Sequence, residues 1–250
     1  MPMNAVGYES TISNPLLGNI LPIPDPTVQT TTFSEFLVPP GMNQVCHAGS
    51  MIATAVTPLR SQLRAPSLLA VVPIDVEPIA SGLVWPTLWT GQQVMYSPYQ
   101  LVVAEPLAAL IQNSSSVVSR TFVHFCDGPL KPVTGKIYSI RFTLTATLIT
   151  ATWQLSVITF STVLPAGDYQ VVGCRVHSPN GVYFRLIFKG SIWRPGAPMQ
   201  TSEAAQDWPI WRWGNSGVWD VFNNITPPSI EMVGVTDTAE VGIMDLIKIK

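Results

Sequence analysis

Charged residues are few: 13 Lys and Arg and 15 Asp and Glu in 250 residues, 11% of the chain, for a formal net charge of -2. Average domains are about one-quarter charged. With no cluster of Lys or Arg, nothing is present to neutralise a phosphate backbone, so no direct contact with nucleic acid is expected. Lipid-spanning runs are missing as well. The long uncharged stretch 142–167 carries Thr143, Thr145, Thr147, Thr150, Thr152 and Gln154, a polar group at nearly every second position, and a spanning helix is predominantly apolar. No transmembrane segment is expected. Three cysteines (Cys46, Cys126, Cys174) are too few for a disulfide scaffold and read as reduced and buried. The start, Met1-Pro2-Met3-Asn4-Ala5-Val6-Gly7, has no basic region followed by an apolar run, so the expectation is a chain made and retained in a cytoplasm. On that expectation the sequons at Asn113 and Asn224 are chance matches.

Catalytic signatures are absent too. No Gly-x-Ser-x-Gly elbow and no phosphate-binding Gly loop ending in Lys and Ser or Thr occurs. The three histidines sit beside the cysteines, in Cys46-His47, His124-Phe125-Cys126 and Cys174-Arg175-Val176-His177. Zinc needs several such ligands converging, but on a strand only His124 and Cys126 share a face. No catalytic residue, metal or cofactor is expected.

What the chain does have is 47% hydrophobic residues and 23 prolines. Pro and Gly punctuate short runs of Val, Ile, Thr, Phe and Tyr, the all-β pattern of sandwiches and barrels. Residues 1–32, rich in Pro, Asn and Thr, read as an extended N-terminal arm, with a first β unit over 33–112 and a second over 113–250. Helical periods are scarce: 105–112, with Pro106 suited to a first turn, and 202–206. In the second half Phe142, Leu144, Ala146 and Leu148 alternate with Thr, then the apolar parity flips to Ile149, Ala151, Trp153, Leu155 and Val157, which predicts a bulge or corner at 148–150. Runs 169–177 and 182–189 flank Ser178-Pro179-Asn180-Gly181 and predict a hairpin. Runs 230–235 and 241–249 follow, the latter a closing strand with one wetter face.

Self-comparison shows collinear matches at offsets of about half the chain. The run Phe33-Ser34-Glu35-Phe36-Leu37-Val38-Pro39-Pro40-Gly41, then Gln44-Val45-Cys46, resembles Phe160-Ser161-Thr162-Val163-Leu164-Pro165-Ala166-Gly167, then Gln170-Val171 and Cys174. Ser61-Gln62-Leu63-Arg64-Ala65-Pro66 echoes Ser191-Ile192-Trp193-Arg194 with Ala197-Pro198, and Trp85-Pro86 echoes Trp208-Pro209. Their order favours two related β units in tandem.

The most unusual local feature is a cluster of tryptophans: Trp193, Trp208, Trp211, Trp213 and Trp219, interleaved with Arg194, Arg212, Asp207 and Asp220. Three readings stand side by side. They are an aromatic core, anchors of a subunit interface where Trp and Arg are enriched, or a surface that stacks on sugar rings. Asp207 and Asp220 are the carboxylates to consider for glycoside hydrolysis.

The arm, the Leu164-Pro165-Ala166-Gly167 corner and the terminal strand Ile243-Met244-Asp245-Leu246-Ile247 together resemble virion structural proteins of the β-sandwich or jelly-roll kind, over the whole chain and without a family-specific motif. The resemblance implies a capsid or capsid-decoration subunit, assembled in the host cytoplasm, whose partners are copies of itself and other virion proteins. The low charge agrees with a surface hidden by assembly. The alternative is a glycan-binding attachment module using the Trp-rich region 193–219.

Overall fold

A computed structural model describes residues 3–24, 36–52, 60–69, 74–76, 78–80, 92–200, 208–235 and 240–250. The chain is all-β, of the β-sandwich type, and divides into two compact units: Val6–Pro129, and Leu130–Lys250 joined by Met1–Ala5.

The first unit is one sheet of eight strands, β1 (Met3–Ile20), β2 (Phe36–Leu37), β3 (Gln44–Ile52), β4 (Arg60–Arg64), β5 (Ile74–Asp75), β6 (Pro78–Ala80), β7 (Gln92–Gln100) and β8 (Pro106–Cys126), with one short helix, α1 (Pro66–Leu69). Its axis is β8. The first half of this strand pairs antiparallel with β4, from Ala108 opposite Arg64 to Gln112 opposite Arg60, and the second half pairs with β3, from Ser119 opposite Ile52 to Cys126 opposite Gln44. Two expectations fail here for one reason. The expected helix 105–112 is strand from Pro106 onward, and the units part at 129/130 rather than 112/113, because β8 finds ladder partners in β4 and β3 and residue 113 lies in mid-strand. Pro106, without an N–H, sits at the first position of the strand.

Nor are residues 3–24 an arm. Met3–Ile20 form β1, which pairs with β8, and residues 21–23 fold back on it: Glu9 N donates to Leu21 O and Ile23 N to Gly7 O, both at 2.8 Å. Tyr8 explains the docking. Its ring is fully buried and its hydroxyl donates to Leu107 O at 2.9 Å, while buried Glu9 pairs with buried Arg120 at 2.8 Å. Residues 25–32, and the expected helix at 202–206, lie outside the described residues.

The second unit holds two sheets. Five strands run in the order β11 (Thr159–Phe160), β9 (Ile137–Leu144), β17 (Glu240–Lys248), β12 (Asp168–His177), β15 (Asp220–Asn223), and four in the order β10 (Gln154–Val157), β16 (Ser229–Gly234), β13 (Gly181–Ile187), β14 (Gly196–Pro198). Phe184 on β13 stacks on Trp219, the residue before β15, with centroids 6.4 Å apart, so the sheets meet across an aromatic core continued by Phe142, Phe160, Phe222 and Tyr169. The expected hairpin through Asn180-Gly181 does not form. β12 and β13 belong to different sheets, each nearly buried on both faces and bonded to strands on both sides. The turn that joins them crosses the sandwich, and Gly181 packs closely there, where a Cβ would stand 2.5 Å from Met199 Cε and 2.8 Å from Ser178 Cβ. The strands at 229–234 and 240–248 likewise lie in different sheets, and β17 is a central strand.

The parity flip at 148–150 is a corner. Ile149 bridges Thr152, Ala151 takes φ +52°, and the chain passes from β9 of one sheet to β10 of the other. The first of the matched segments also has a structural counterpart. In each unit a short strand leads to a Pro-containing turn ending in a positive-φ glycine, Gly41 (+77°) or Gly167 (+147°), and then to a long strand with a bulge just past Val45 or Val171. The echo at Trp85-Pro86 lies outside the described residues.

Candidate functional site

The Trp-rich segment is laced to the bulge of β12. Gly214 N donates to Val172 O and Trp219 N to Val171 O, at 2.7 and 2.8 Å. A 3-10 turn, Pro209–Trp211, leads into Arg212, whose guanidinium is held by Asp245: Nε donates to Oδ2 at 2.6 Å and Nη2 to Oδ1 at 3.0 Å. Asp245 also accepts from Trp213 N at 2.9 Å and from Ser139 Oγ at 2.6 Å. Both ions are buried, which is tolerable only with this degree of hydrogen bonding. Gly173 leaves room for the crossing, since a Cβ there would stand 2.7 Å from Trp211 O and 2.8 Å from Asp245 Oδ2.

This architecture separates the seven candidate residues. Trp208, Trp211 and Trp219 are core: Trp211 and Trp219 meet edge to face at 6.2 Å, and Trp219 Nε1 donates to Ser216 Oγ at 2.8 Å. Arg212 is buried in its ion pair. Arg194 is buried as well and shapes the loop before β14, with Nη1 donating to Ser191 O and Trp193 O and its backbone N–H to Asn4 Oδ1. Only Trp193 and Trp213 reach the surface. Trp213, at φ +54° and 44% exposed, lies under the Arg212 guanidinium at 4.7 Å.

Trp193 lines an open groove of about 640 Å³ with residues 189–192 and 218–221. Gly190, at φ +83°, turns the chain so that exposed Ile192 and half-buried Trp193 stand over it, and Ser191 Oγ accepts from Trp193 N at 3.2 Å. Lys189 and Asp220 give the groove one charge of each sign. An aromatic wall with a carboxylate and an ammonium can stack on a ring and bind hydroxyls. Asp207 lies outside the described residues, so a carboxylate pair with Asp220 is not described.

A second feature escaped the sequence reading. On β10 the apolar residues point outward, Leu155 at 64% and Val157 at 71% exposure, and Ser156 points inward. Among the described residues β10 is an edge strand, bonded only to β16 within its sheet. The signal was the parity flip itself: after the corner the apolar set lies on the outer face.

The three cysteines are buried and form no disulfide; burial, then the Asp245 charge, pushes the Cys174 thiol well up. Among the described residues no group of three or more His, Cys, Asp or Glu is placed to hold a metal ion, and no helix is long and apolar enough to cross a membrane. No family model, curated protein or solved structure matches the chain.

Proposed function

We propose that the protein is a structural subunit of a virion, in a shell or decoration layer of the jelly-roll kind, that assembles with copies of itself and other virion proteins and performs no catalytic step. The edge strand β10 carries this reading. An unpaired edge is a template for another strand, soluble monomers usually blunt such edges with charge, and this one bears Leu155 and Val157 instead. Joining such edges and the faces around them, at about 800 Å² per partner, makes a stable closed assembly. Light scattering on the native protein tests it. A discrete oligomer is expected, and Leu155→Lys with Val157→Lys is expected to give monomers whose unfolding is nearly unchanged, because both side chains are exposed. A native protein that stays monomeric at high concentration overturns the proposal.

The Trp193 groove favours a second reading, a glycan-binding attachment module. In that case Trp193→Ala abolishes retention on an immobilised glycan and leaves the oligomer unchanged; undiminished retention refutes it.

A further inference from the structure

The end of the β3–β8 ladder holds two thiols side by side. Cys126 is the last residue of β8 and stands opposite Gln44, the first residue of β3. The register then slips: Val45 faces Phe125 and His47 faces His124, so Cys46 is an extra residue on β3 without a rung of its own. A bulge of this kind re-aims a side chain. Cys46 Sγ donates to His124 O at 3.3 Å, Cys126 Sγ donates to Gln44 O at 3.5 Å, and the Cys46 thiol is also within hydrogen-bonding reach of Cys126 Sγ. The third cysteine, Cys174, lies on β12 in the other unit.

The pair is asymmetric. The hydrogen bond from Cys46 lowers the Cys126 pKa against the effect of burial, with a further bond from Gly128 N–H on the same side and the Asp127 charge opposing. Cys46 moves the other way, pushed well up by its bond to Cys126 and then by burial. In thiol oxidation the thiolate is the nucleophile, and a neighbouring thiol resolves the product. Position matters as well. Both cysteines are buried, but Cys126 closes the ladder and is followed by exposed Asp127 and Pro129, so opening of the last rung admits a small oxidant. A disulfide forms without backbone movement only between cysteines whose side chains already face each other at close range, and these do.

We infer that Cys46 and Cys126 are a modification site, a dithiol that hydrogen peroxide converts to a disulfide tying β3 to β8. The Cys126 thiolate attacks one peroxide oxygen and the O–O bond breaks. Sulfur keeps the hydroxyl as a sulfenic acid, and the other oxygen leaves as hydroxide, which takes up the proton the thiol had released. The Cys46 sulfur then attacks the sulfenic sulfur, and the hydroxyl departs as water with the Cys46 proton. Two thiols are oxidised to one disulfide, and one peroxide is reduced to two waters. The bond closes a loop of about 80 residues, a constraint on the unfolded chain that raises melting of the first unit by about 10 °C.

Thiol counting on the folded full chain after peroxide treatment tests it. Three free thiols are expected to fall to one, with peptide mapping joining Cys46 to Cys126 within one chain and Cys174 still free. Dithiothreitol restores all three thiols and reverses the rise in melting temperature. Cys46→Ala leaves a sulfenic acid on Cys126 that dimedone captures, whereas Cys126→Ala leaves Cys46 uncaptured. Retention of three thiols, a bond to Cys174 or between chains, a bonded protein that melts no higher, or dimedone capture at Cys46 overturns the inference. The count on the unaltered chain stands even where a variant fails to fold. Neither cysteine belongs to β10 or to the Trp193 groove, so the result is independent of the assembly and glycan readings.

Discussion

Asp245→Asn is the sharpest probe of how the Trp-rich segment is held. The substitution keeps the shape of the side chain and removes its charge. Asp245 is completely buried and accepts four hydrogen bonds, two from Arg212 and one each from Trp213 N and Ser139 Oγ. An amide retains one acceptor oxygen and turns two N–H donors toward a guanidinium that cannot accept them. Arg212 then stays buried with its charge uncompensated, near enough to Arg175 for the two to repel. Breaking a buried pair in this way costs about 3–5 kcal/mol, a large part of the roughly 5–15 kcal/mol that holds a domain folded. At about 4 °C per kcal/mol for a unit of this size, melting of the second unit falls by roughly 12–20 °C. Near-ultraviolet circular dichroism reads it directly through buried Trp208, Trp211 and Trp219. Replacing both ions, Arg212→Met with Asp245→Leu, costs much less, because no lone charge remains. A loss below about 1 kcal/mol in the single variant, or a double variant as unstable as the sum of its parts, refutes the reasoning.

His177 predicts an acid limit. Burial and then the Arg175 charge hold its pKa down to about 4, with the Gln200 hydrogen bond working the other way. The unfolded chain therefore binds a proton between pH 6.5 and 4 that the fold refuses, so this contribution to stability is complete above pH 6.5 and declines as pH falls toward 4. His177→Gln removes the decline, and urea midpoints of the two proteins over that range check it. Gly173→Ala is expected to cost about 2–3 kcal/mol, because its Cβ meets backbone at Trp211 O and Arg212 Cα that cannot give way. Gly190→Ala, with open space around it, costs only about 1 kcal/mol for its positive φ, and urea midpoints compare the two.

The strand character of the chain was legible because alternation is local. Phe142 and Leu144 are buried as their spacing predicts, and the corner after Leu148 lies where the parity changes. Pairing was not legible, because it depends on distant residues. The run 105–112 has a helix-like start, yet it becomes strand once β4 offers Arg60–Arg64 as a ladder. Asn180-Gly181 has hairpin chemistry, and the turn still crosses between sheets because β12 and β13 each need neighbours on both sides. The Trp cluster was visible and its sorting was not. The placing of Trp211 inside and Trp213 outside hangs on Arg212 finding Asp245, 33 positions away. The hydrophobicity of Leu155 and Val157 does not by itself tell a buried face from one kept for a partner.

The shared first strand sets an order of construction. β1 continues from one unit into the other: residues from Val6 onward belong to the first, while the residues before it belong to the second, where Ala5 N donates to Arg194 O and Asn4 Oδ1 accepts from Arg194 N. Those partners are 190 positions apart. At synthesis rates of about 5–20 residues per second, the opening residues wait roughly 10–40 seconds for Arg194 to emerge. Meanwhile the whole of Val6–Pro129 has left the ribosome, and Tyr8 can anchor the strand on Leu107. The first unit thus serves as a clamp that holds residues 3–5 near the growing chain, at a high local concentration, until their partners in the second unit have been made.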